Sequence, residues 1–546
     1  MASLTEFLAI LAKRWPDEKQ RGTQFEPYLR EALQESKPHQ FSNVWLWKDW
    51  PGRDGPEVGI DLVAEHLDGG LWGIQSKLYA PDSSLRWKDL STWVAATRDA
   101  PWTHRLLVST TANLAPNAKR QLSGDPKTLM LLGEDLSSLP VEWPATLDAP
   151  IVPVPPKTPK EYQVEAISAV VAGFDEGASR LQAHMACGTG KTLVSLWVYE
   201  RVAPELAVVL VPSLSLMAQT IRSWTANTLV DFRYLPVCSD VQVAEDERRG
   251  EDADLDVDDL AVLDSAATTD PDTITEFLQG PGPQVVFCTY QSSDVLAAAT
   301  VNAGVRFGLV VADEAHRTTG SASTVFSTVL DDARFPADRR LFVTATPRTF
   351  AAAADGDETV QSMDDTDLYG EVVYELGFGR AVELGLLADY EVVVVAVQDP
   401  ELRATILAGG YVELDGLNKR VDASALVALE GTLRAIDKFD LSRLISFHSR
   451  IKRAKDFATA MPVFGQWRVH DAVVEADTVD GTMNAAIRKG RISWLEDADR
   501  PRVLTNARCL TEGIDLPSLD AIVFADPKRS QTDIVQAVGR VMRTDP

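Results

Sequence analysis

Leu4, Phe7, Leu8 and Leu11 recur at three- and four-residue intervals, with Lys13 and Arg14 behind them. The chain therefore opens on a short amphipathic helix and not on a signal peptide. A second helix is predicted around Phe25 to Leu33. Strands follow near Ile60–Glu65 and Leu71–Lys77, and apolar runs near Arg105–Ser109 and Thr128–Leu132 would extend their sheet. Residues 1–135 thus read as one α/β unit. The proline-rich stretch Pro150 to Pro159 reads as a stiff extended connector, which makes 136–158 a linker. Beyond it, short β-rich runs at Ala207–Val211, Gln284–Thr289, Phe307–Asp313 and Arg340–Thr344 alternate with helical or loop segments. That alternation predicts a parallel sheet with helices on both faces, over 159–385. A second series starts near Asp389 and includes Arg443–Phe447, Arg502–Thr505 and Asp520–Ala525, predicting another α/β lobe over 386–546. The richest apolar run, Val392 to Val397, is far short of a membrane span and reads as a buried strand.

Hydrophobic content of 45% and charged content of 24% are those of a soluble globular protein. The net charge of −27 changes the picture only locally. Asp240 to Leu278 holds 14 acids and 2 bases, and Asp355 to Glu375 holds 8 acids and no bases, so two segments carry 20 of the 27 charges. Blocks of this kind, an acidic insert at 240–282 and an acidic segment at 355–375, are expected to be solvated loops. The remainder is mildly acidic and leaves room for a local basic track. Nine of the 13 tryptophans precede residue 144 at no regular spacing, which favours packing over base stacking. Cys187, Cys238, Cys288 and Cys509 form no CxxC pair and have no neighbouring His, which argues for a reducing cytoplasm and against a zinc site.

Ala186-Cys187-Gly188-Thr189-Gly190-Lys191-Thr192 is the strongest chemical signal. A glycine-rich loop between strand and helix lets backbone N–H groups approach phosphate oxygens, and the helix start adds positive potential. Lys191 is placed to contact the β- and γ-phosphates, and the Thr192 hydroxyl to hold Mg2+. Asp313-Glu314-Ala315-His316, a DEAH box, ends the apolar strand Leu309 to Ala312. Asp313 is expected to bind Mg2+ through water and Glu314 to orient or deprotonate the attacking water. Alone, an acid pair at a strand end is more often a solvated cap. The ordered series around it resembles superfamily 2 helicases and translocases. Met185 stands where the general phosphate loop has its first glycine, but this superfamily uses A-x-G-x-G-K-T. Tyr162-Gln163 resembles its adenine-reading element. Pro212-Ser213 through Gln219 and Thr289-Tyr290-Gln291 resemble its nucleic-acid backbone segments. Thr344-Ala345-Thr346-Pro347 resembles its coupling element. Phe447-His448-Ser449, Thr511-Glu512-Gly513-Ile514-Asp515 and Gln536 to Arg543 match its motifs IV, V and VI. The resemblance implies two tandem RecA-like doubly wound lobes. Gly513 and Asp515 would lie at the nucleotide, and Arg540 and Arg543, three apart on one helix face, would reach the γ-phosphate across the cleft.

Gly59-Ile60-Asp61 followed by Gln75-Ser76-Lys77 resembles the PD-(D/E)xK nuclease core in its Mrr-like form. The resemblance implies a restriction-endonuclease-like α/β domain in which Asp61 and Gln75 face Mg2+ while Lys77 helps activate water. Gln75 replaces the usual acid, so it can ligate through its carbonyl but adds no charge. Glu26, in Gly22-Thr23-Gln24-Phe25-Glu26, matches the helix acid that joins such sites. The competing reading is a degenerate domain that only docks on DNA.

Mrr-like nuclease, Pro-rich connector and superfamily 2 motor in this order resemble the N-terminal part of Type ISP restriction–modification enzymes. That implies ATP and Mg2+ as cofactors, double-stranded DNA as partner, a second copy of the enzyme met on the same DNA, and methyltransferase and target-recognition domains beyond this chain. No Asn-Pro-Pro-Tyr occurs, so no modification activity is predicted for these residues. Pro546 comes three residues after Arg543, where such a lobe normally continues, so a longer protein is expected. Two alternatives stand beside this one: a stand-alone defence or repair DNA helicase, and an ATP-switched DNA clamp with an inactive nuclease-like domain.

Overall fold

The computed structural model describes the chain except for residues 1, 37–39, 54, 56–58, 81–82, 123–124, 126, 239–266, 322–324, 351–359, 394–403, 405–410, 414–419, 468–472, 481–482, 484, 508–518, 527–533, 536 and 540–546. Five strands form the first sheet, in the order β1-β2-β3-β4-β5: β1 (Phe41–Leu46), β2 (Leu62–His66), β3 (Leu71–Lys77), β4 (Trp102–Ser109) and β5 (Thr128–Leu132). β1 to β3 pair antiparallel, β3 to β5 parallel. Alternation sorts the faces. Leu62, Ala64, Trp72 and Ile74 pack against Phe7, Phe25 and Leu29 of helices Leu4–Arg14 and Glu18–Glu35. Val63 packs instead with Leu90 and Trp93 of helix Trp87–Ala96 on the other side.

The first core continues beyond residue 135. Leu136, Leu139, Val141, Trp143 and Ile151 are buried in it, and Trp143 stacks on Phe7 and Phe25 with ring centroids 5.6 and 5.8 Å away. β6 (Val141–Glu142) pairs with β7 (Val152–Pro153), and from Val152 to Lys160 the chain runs exposed to the helix Glu161–Asp175.

The second sheet has seven parallel strands in the order β10-β11-β9-β12-β14-β8-β16. They are β8 (Arg180–Met185), β9 (Leu206–Val211), β10 (Arg233–Val237), β11 (Gln284–Thr289), β12 (Leu309–Asp313), β14 (Arg340–Thr344) and β16 (Glu371–Leu376). β13 (Gly320–Ser321) pairs with β15 (Val360–Gln361) beside them. β9 is buried along its whole length, as a strand covered on both faces must be. Val209 and Val211 face a core with helices Lys191–Val202 and Leu214–Asn227; Val208 and Leu210 face one with helices Pro271–Leu278 and Ser293–Ala303. After the hairpin of β17 (Tyr411–Glu413) and β18 (Arg420–Asp422) comes a four-stranded parallel sheet, β20-β21-β19-β22, with β19 (Arg443–Phe447), β20 (Glu475–Asp480), β21 (Arg502–Ala507) and β22 (Ala521–Phe524). No described helix is long and apolar enough to cross a membrane.

Three expectations need correction. The acidic insert is not all solvated loop: Asp270 caps the helix Pro271–Leu278, and Ile274 and Leu278, four apart, are buried under the second sheet. The segment 355–375 likewise supplies β16, an edge strand that keeps Glu371 and Glu375 in water while Tyr369 and Leu376 are buried, so charge protects the edge. Val392 and Val393 are exposed and outside any strand, because no described neighbour pairs with them; Val394 to Val397 lie outside the described residues.

Candidate functional site

At the first centre, two adjacent strands deliver the predicted pair. Asp61 stands one residue before β2, its N–H donating to Ile74 O (2.9 Å) and its carbonyl accepting from Trp47 N (2.9 Å). Its Oδ2 accepts hydrogen bonds from the Gln75 amide and from the Ser76 backbone N–H (2.7 Å). Gly59 sets the approach. Its φ is +84°, and a Cβ there would meet the Trp93 backbone N at 3.2 Å, so only glycine brings the chain into β2 at that point. Gln75 is buried, Lys77 is half-buried two residues further on the same strand face, and the Lys77 carbonyl accepts from Thr110 N (3.2 Å). Glu26 is half-buried on the helix Glu18–Glu35, whose Phe25 and Leu29 pack on the Leu62–Ile74 face of the sheet. Among the described residues no group of three or more His, Cys, Asp or Glu could hold a metal. One carboxylate and one amide, whose carbonyl turns inward on a simple flip, are still hard oxygen donors of the kind Mg2+ takes alongside water and phosphate.

The second centre sits at the C-terminal ends of β8 and β12. Gly188 and Gly190 both have φ +81°, and Gly190 starts the helix Lys191–Val202. A Cβ on Gly190 would come within 2.5 Å of Gln163 Nε2. Gln163 and Tyr162 each donate to Thr189 O, at 3.1 and 3.0 Å, so Tyr162-Gln163 is tied to the glycine-rich loop. The buried Thr189 hydroxyl donates to Ala186 O (2.7 Å). Lys191 Nζ reaches Met185 O at 3.3 Å and lies 4.0 Å from Glu314 Oε1, while Thr192 is half-buried in the helix's first turn. Glu314 holds φ +48°, a left-handed conformation that costs a β-carbon residue energy and aims its side chain back at the loop. Burial first, and the Glu314 charge second, push Asp313 up to about 6. Burial penalises Glu314 as well, but Lys191 and the nearby His316 ring outweigh it and hold that carboxyl down to about 2. The two adjacent acids are thereby split in proton affinity.

Around these predicted residues the structure adds others. His316 Nδ1 lies 3.0 Å from Thr344 Oγ1 and 3.3 Å from Thr346 Oγ1, which joins the DEAH box to Thr344-Ala345-Thr346. Tyr290 Oη donates to Asp313 O (2.7 Å), tying Thr289-Tyr290-Gln291 to the same strand end. In the second lobe Ser449 N and Oγ both donate to Asp526 Oδ2 at 2.7 Å, and Arg453 pairs with Asp526. His316 and Tyr290 stand inside the Asp313–His316 and Thr289-Tyr290-Gln291 strings, which carry no sign of their partners. Asp526 carried no local signal.

Three family models match in succession: a restriction endonuclease over residues 34–149, the res subunit of Type III restriction enzymes over 156–349, and a helicase conserved C-terminal domain over 431–545. The ATP-dependent Type ISP restriction–modification enzyme LlaBIII bound to DNA superposes on 98% of this chain with TM-score 0.78 and 28% identity. Over that span the chain is similar in fold to this Type ISP enzyme. It spans 36% of the LlaBIII chain. A nuclease-deletion mutant of the Type ISP enzyme LlaGI with a DNA substrate mimic matches 71% of this chain and 26% of its own, at 29% identity and TM-score 0.50. Among curated proteins, the probable helicase A859L of African swine fever virus (isolate Pig/Kenya/KEN-50/1950) is 27% identical over 69% of this chain and 38% of its own length. The Type I restriction enzyme EcoAI endonuclease subunit of Escherichia coli is 24% identical over 71% of this chain and 44% of its own.

The second lobe reaches the glycine-rich loop through Val538 and Gly539. Val538 packs on the first lobe's core, and a Cβ on Gly539 would lie 2.8 Å from Cys187 Cβ and 3.3 Å from the Phe378 ring. Gly513, Asp515, Arg540 and Arg543 lie outside the described residues.

Proposed function

We propose that this chain is the cutting and moving part of a restriction enzyme: an ATP-dependent translocase on double-stranded DNA coupled to Mg2+-dependent phosphodiester cleavage. One observation carries the reading. The Asp61 carboxylate and the Gln75 amide meet at neighbouring strand ends, in a chain whose second centre sets Lys191, Asp313 and Glu314 around a phosphate loop. At the motor, Gly188, Thr189, Gly190 and Lys191 cradle the phosphates, Gln163 faces the adenine, Thr192 and Asp313 hold the cation, and Glu314 takes the water's proton. Gly513 and Asp515 border the nucleotide, and Arg540 and Arg543 complete the γ-phosphate site on lobe closure. At the nuclease, Asp61 and Gln75 are the metal ligands, Lys77 steers the nucleophile and Glu26 supports the site. Mg2+, when bound at either centre, neutralises phosphate charge and acidifies a water.

A first unit whose core runs on to Ile151, domain limits near 158 and 385, a second enzyme copy on the same DNA, cytoplasmic residence, and methyltransferase and target-recognition domains C-terminal of this chain belong to the same proposal. ATP turnover should rise on adding linear duplex DNA; an unchanged rate in the intact chain would remove the translocase. Gln75 favours one second reading, an inactive nuclease-like clamp. Mg2+-dependent nicking of supercoiled DNA that disappears in Asp61→Ala excludes the clamp; no nicking by the parent chain establishes it.

A further inference from the structure

The nuclease unit meets the motor lobe through side chains that neither centre uses. Gln40, just before β1, is 5% exposed, and its amide spans the Tyr234 backbone. Nε2 donates to Tyr234 O (3.3 Å), and Tyr234 N donates to Gln40 Oε1 (2.9 Å). Tyr234 lies on β10, the edge of the seven-stranded sheet. On the same outer side, Thr268 N donates to Pro236 O (3.1 Å), so the amide and Thr268 together pair with two positions of that edge. Gln40 is itself fixed: φ is +52°, and its carbonyl accepts from Leu67 N (2.9 Å) in the β2–β3 turn. A second tie runs from Arg222 Nη2 to Asp135 Oδ1 (3.1 Å), and Arg222 belongs to the helix that Ser213 caps. A third ends the connector, where Lys157 N donates to Asn227 Oδ1 (2.9 Å) on that helix.

We propose that Gln40 and the Asp135–Arg222 pair lock the nuclease unit to the first motor lobe as one body. The cutting centre then keeps a set position relative to Pro212-Ser213 and its helix and does not swing on the proline-rich connector. The relay is short. β1 begins beside Gln40, runs six residues as a rod of roughly 20 Å, and ends where Trp47 N holds Asp61 O (2.9 Å). No flexible segment separates the motor's edge strand from the catalytic carboxylate along that path.

The coupling to cleavage rests on the function proposed above; the lock itself does not. The test is hydrogen exchange on the full chain. Gln40→Asn keeps a residue that tolerates the left-handed backbone but withdraws the amide. Exchange at the Tyr234 amide should quicken about tenfold, with basal ATP turnover and Mg2+-dependent nicking retained and ATP-driven cleavage reduced. Asp135→Arg and Arg222→Asp should each loosen the same contact, and the two together should restore protection. Unchanged Tyr234 protection in Gln40→Asn, or no rescue by the reversed pair, overturns the lock. A parent chain that cuts nothing would remove the nuclease reading while the exchange result still decides the lock.

Discussion

Lys191 already engages two partners, the Met185 carbonyl and the Glu314 carboxylate, so its ammonium is poised and paired before a phosphate arrives. Lys191→Ala should reduce ATP turnover at least about a hundredfold, because removal of one charge at a developing oxyanion forfeits transition-state stabilisation; a steady-state phosphate-release assay measures it. Asp61→Ala should abolish nicking and leave that turnover intact, and plasmid relaxation scored beside the ATPase separates the two. Asp313 gives a pH test. Its folded pKa, about 6, lies above the unfolded 3.8. Between those values the folded state binds the extra proton, so this group makes metal-free stability fall as pH rises through that window. Glu314, held down to about 2 from 4.5, works the other way: its contribution is present above its unfolded pKa and is lost as pH falls through the lower range. As a Mg2+ ligand, the role proposed above, Asp313 would have to be ionised. The rise in melting temperature on adding Mg2+ should therefore be larger near about pH 7 than near about pH 5. Equal rises would take Asp313 out of the metal site.

At the scale of elements, the strand entry into β2 and the helix start at Gly190 both depend on glycine, for different reasons. Gly59 and Gly69 share a left-handed φ, +84° and +86°, but only Gly59 has backbone at 3.2 Å in the path of a Cβ; Gly69 has nothing within 4 Å. Gly69→Ala should cost about 1 kcal/mol of strain alone. Gly59→Ala adds a displacement of helix Trp87–Ala96 and should cost about 2 to 3 kcal/mol, with nicking lost because Asp61 moves. Chemical denaturation of both variants checks the difference. The acidic segments teach the same lesson at this scale. Counting charges predicted loops, yet Ile274 and Leu278 at helical spacing, behind the Asp270 cap, were enough to bury a helix. Likewise β16 keeps its acids on an exposed edge. Mean charge says little where a few apolar positions share one face.

Across the whole molecule, the second lobe meets the phosphate loop at Gly539, and the nuclease meets the motor at Gln40. Alanine at Gly539 would favour the local helix but drive a Cβ to 2.8 Å from Cys187 Cβ. Gly539→Ala should therefore destabilise the contact between the lobes and lower DNA-stimulated ATP turnover about tenfold, as expected when lobe approach is obstructed. A turnover equal to the parent's would show that closure does not bring these surfaces together.

Ordered strings determined much of this protein by themselves. Phosphate-loop glycines, the DEAH acids and the Gly-Ile-Asp to Gln-Ser-Lys spacing are local, since each needs only a strand end and the turn after it. Strands β3, β5, β11, β14 and β19 were legible to the residue because each is an apolar run bounded by polar or turn residues. Contacts between distant segments belonged to the tertiary structure alone: His316 with Thr344, Ser449 with Asp526, Gln40 with Tyr234. Partners 28, 77 and 194 positions apart leave no periodicity in a chain. Their hydrogen bonds come into existence only when packed sheets bring the strand ends within reach.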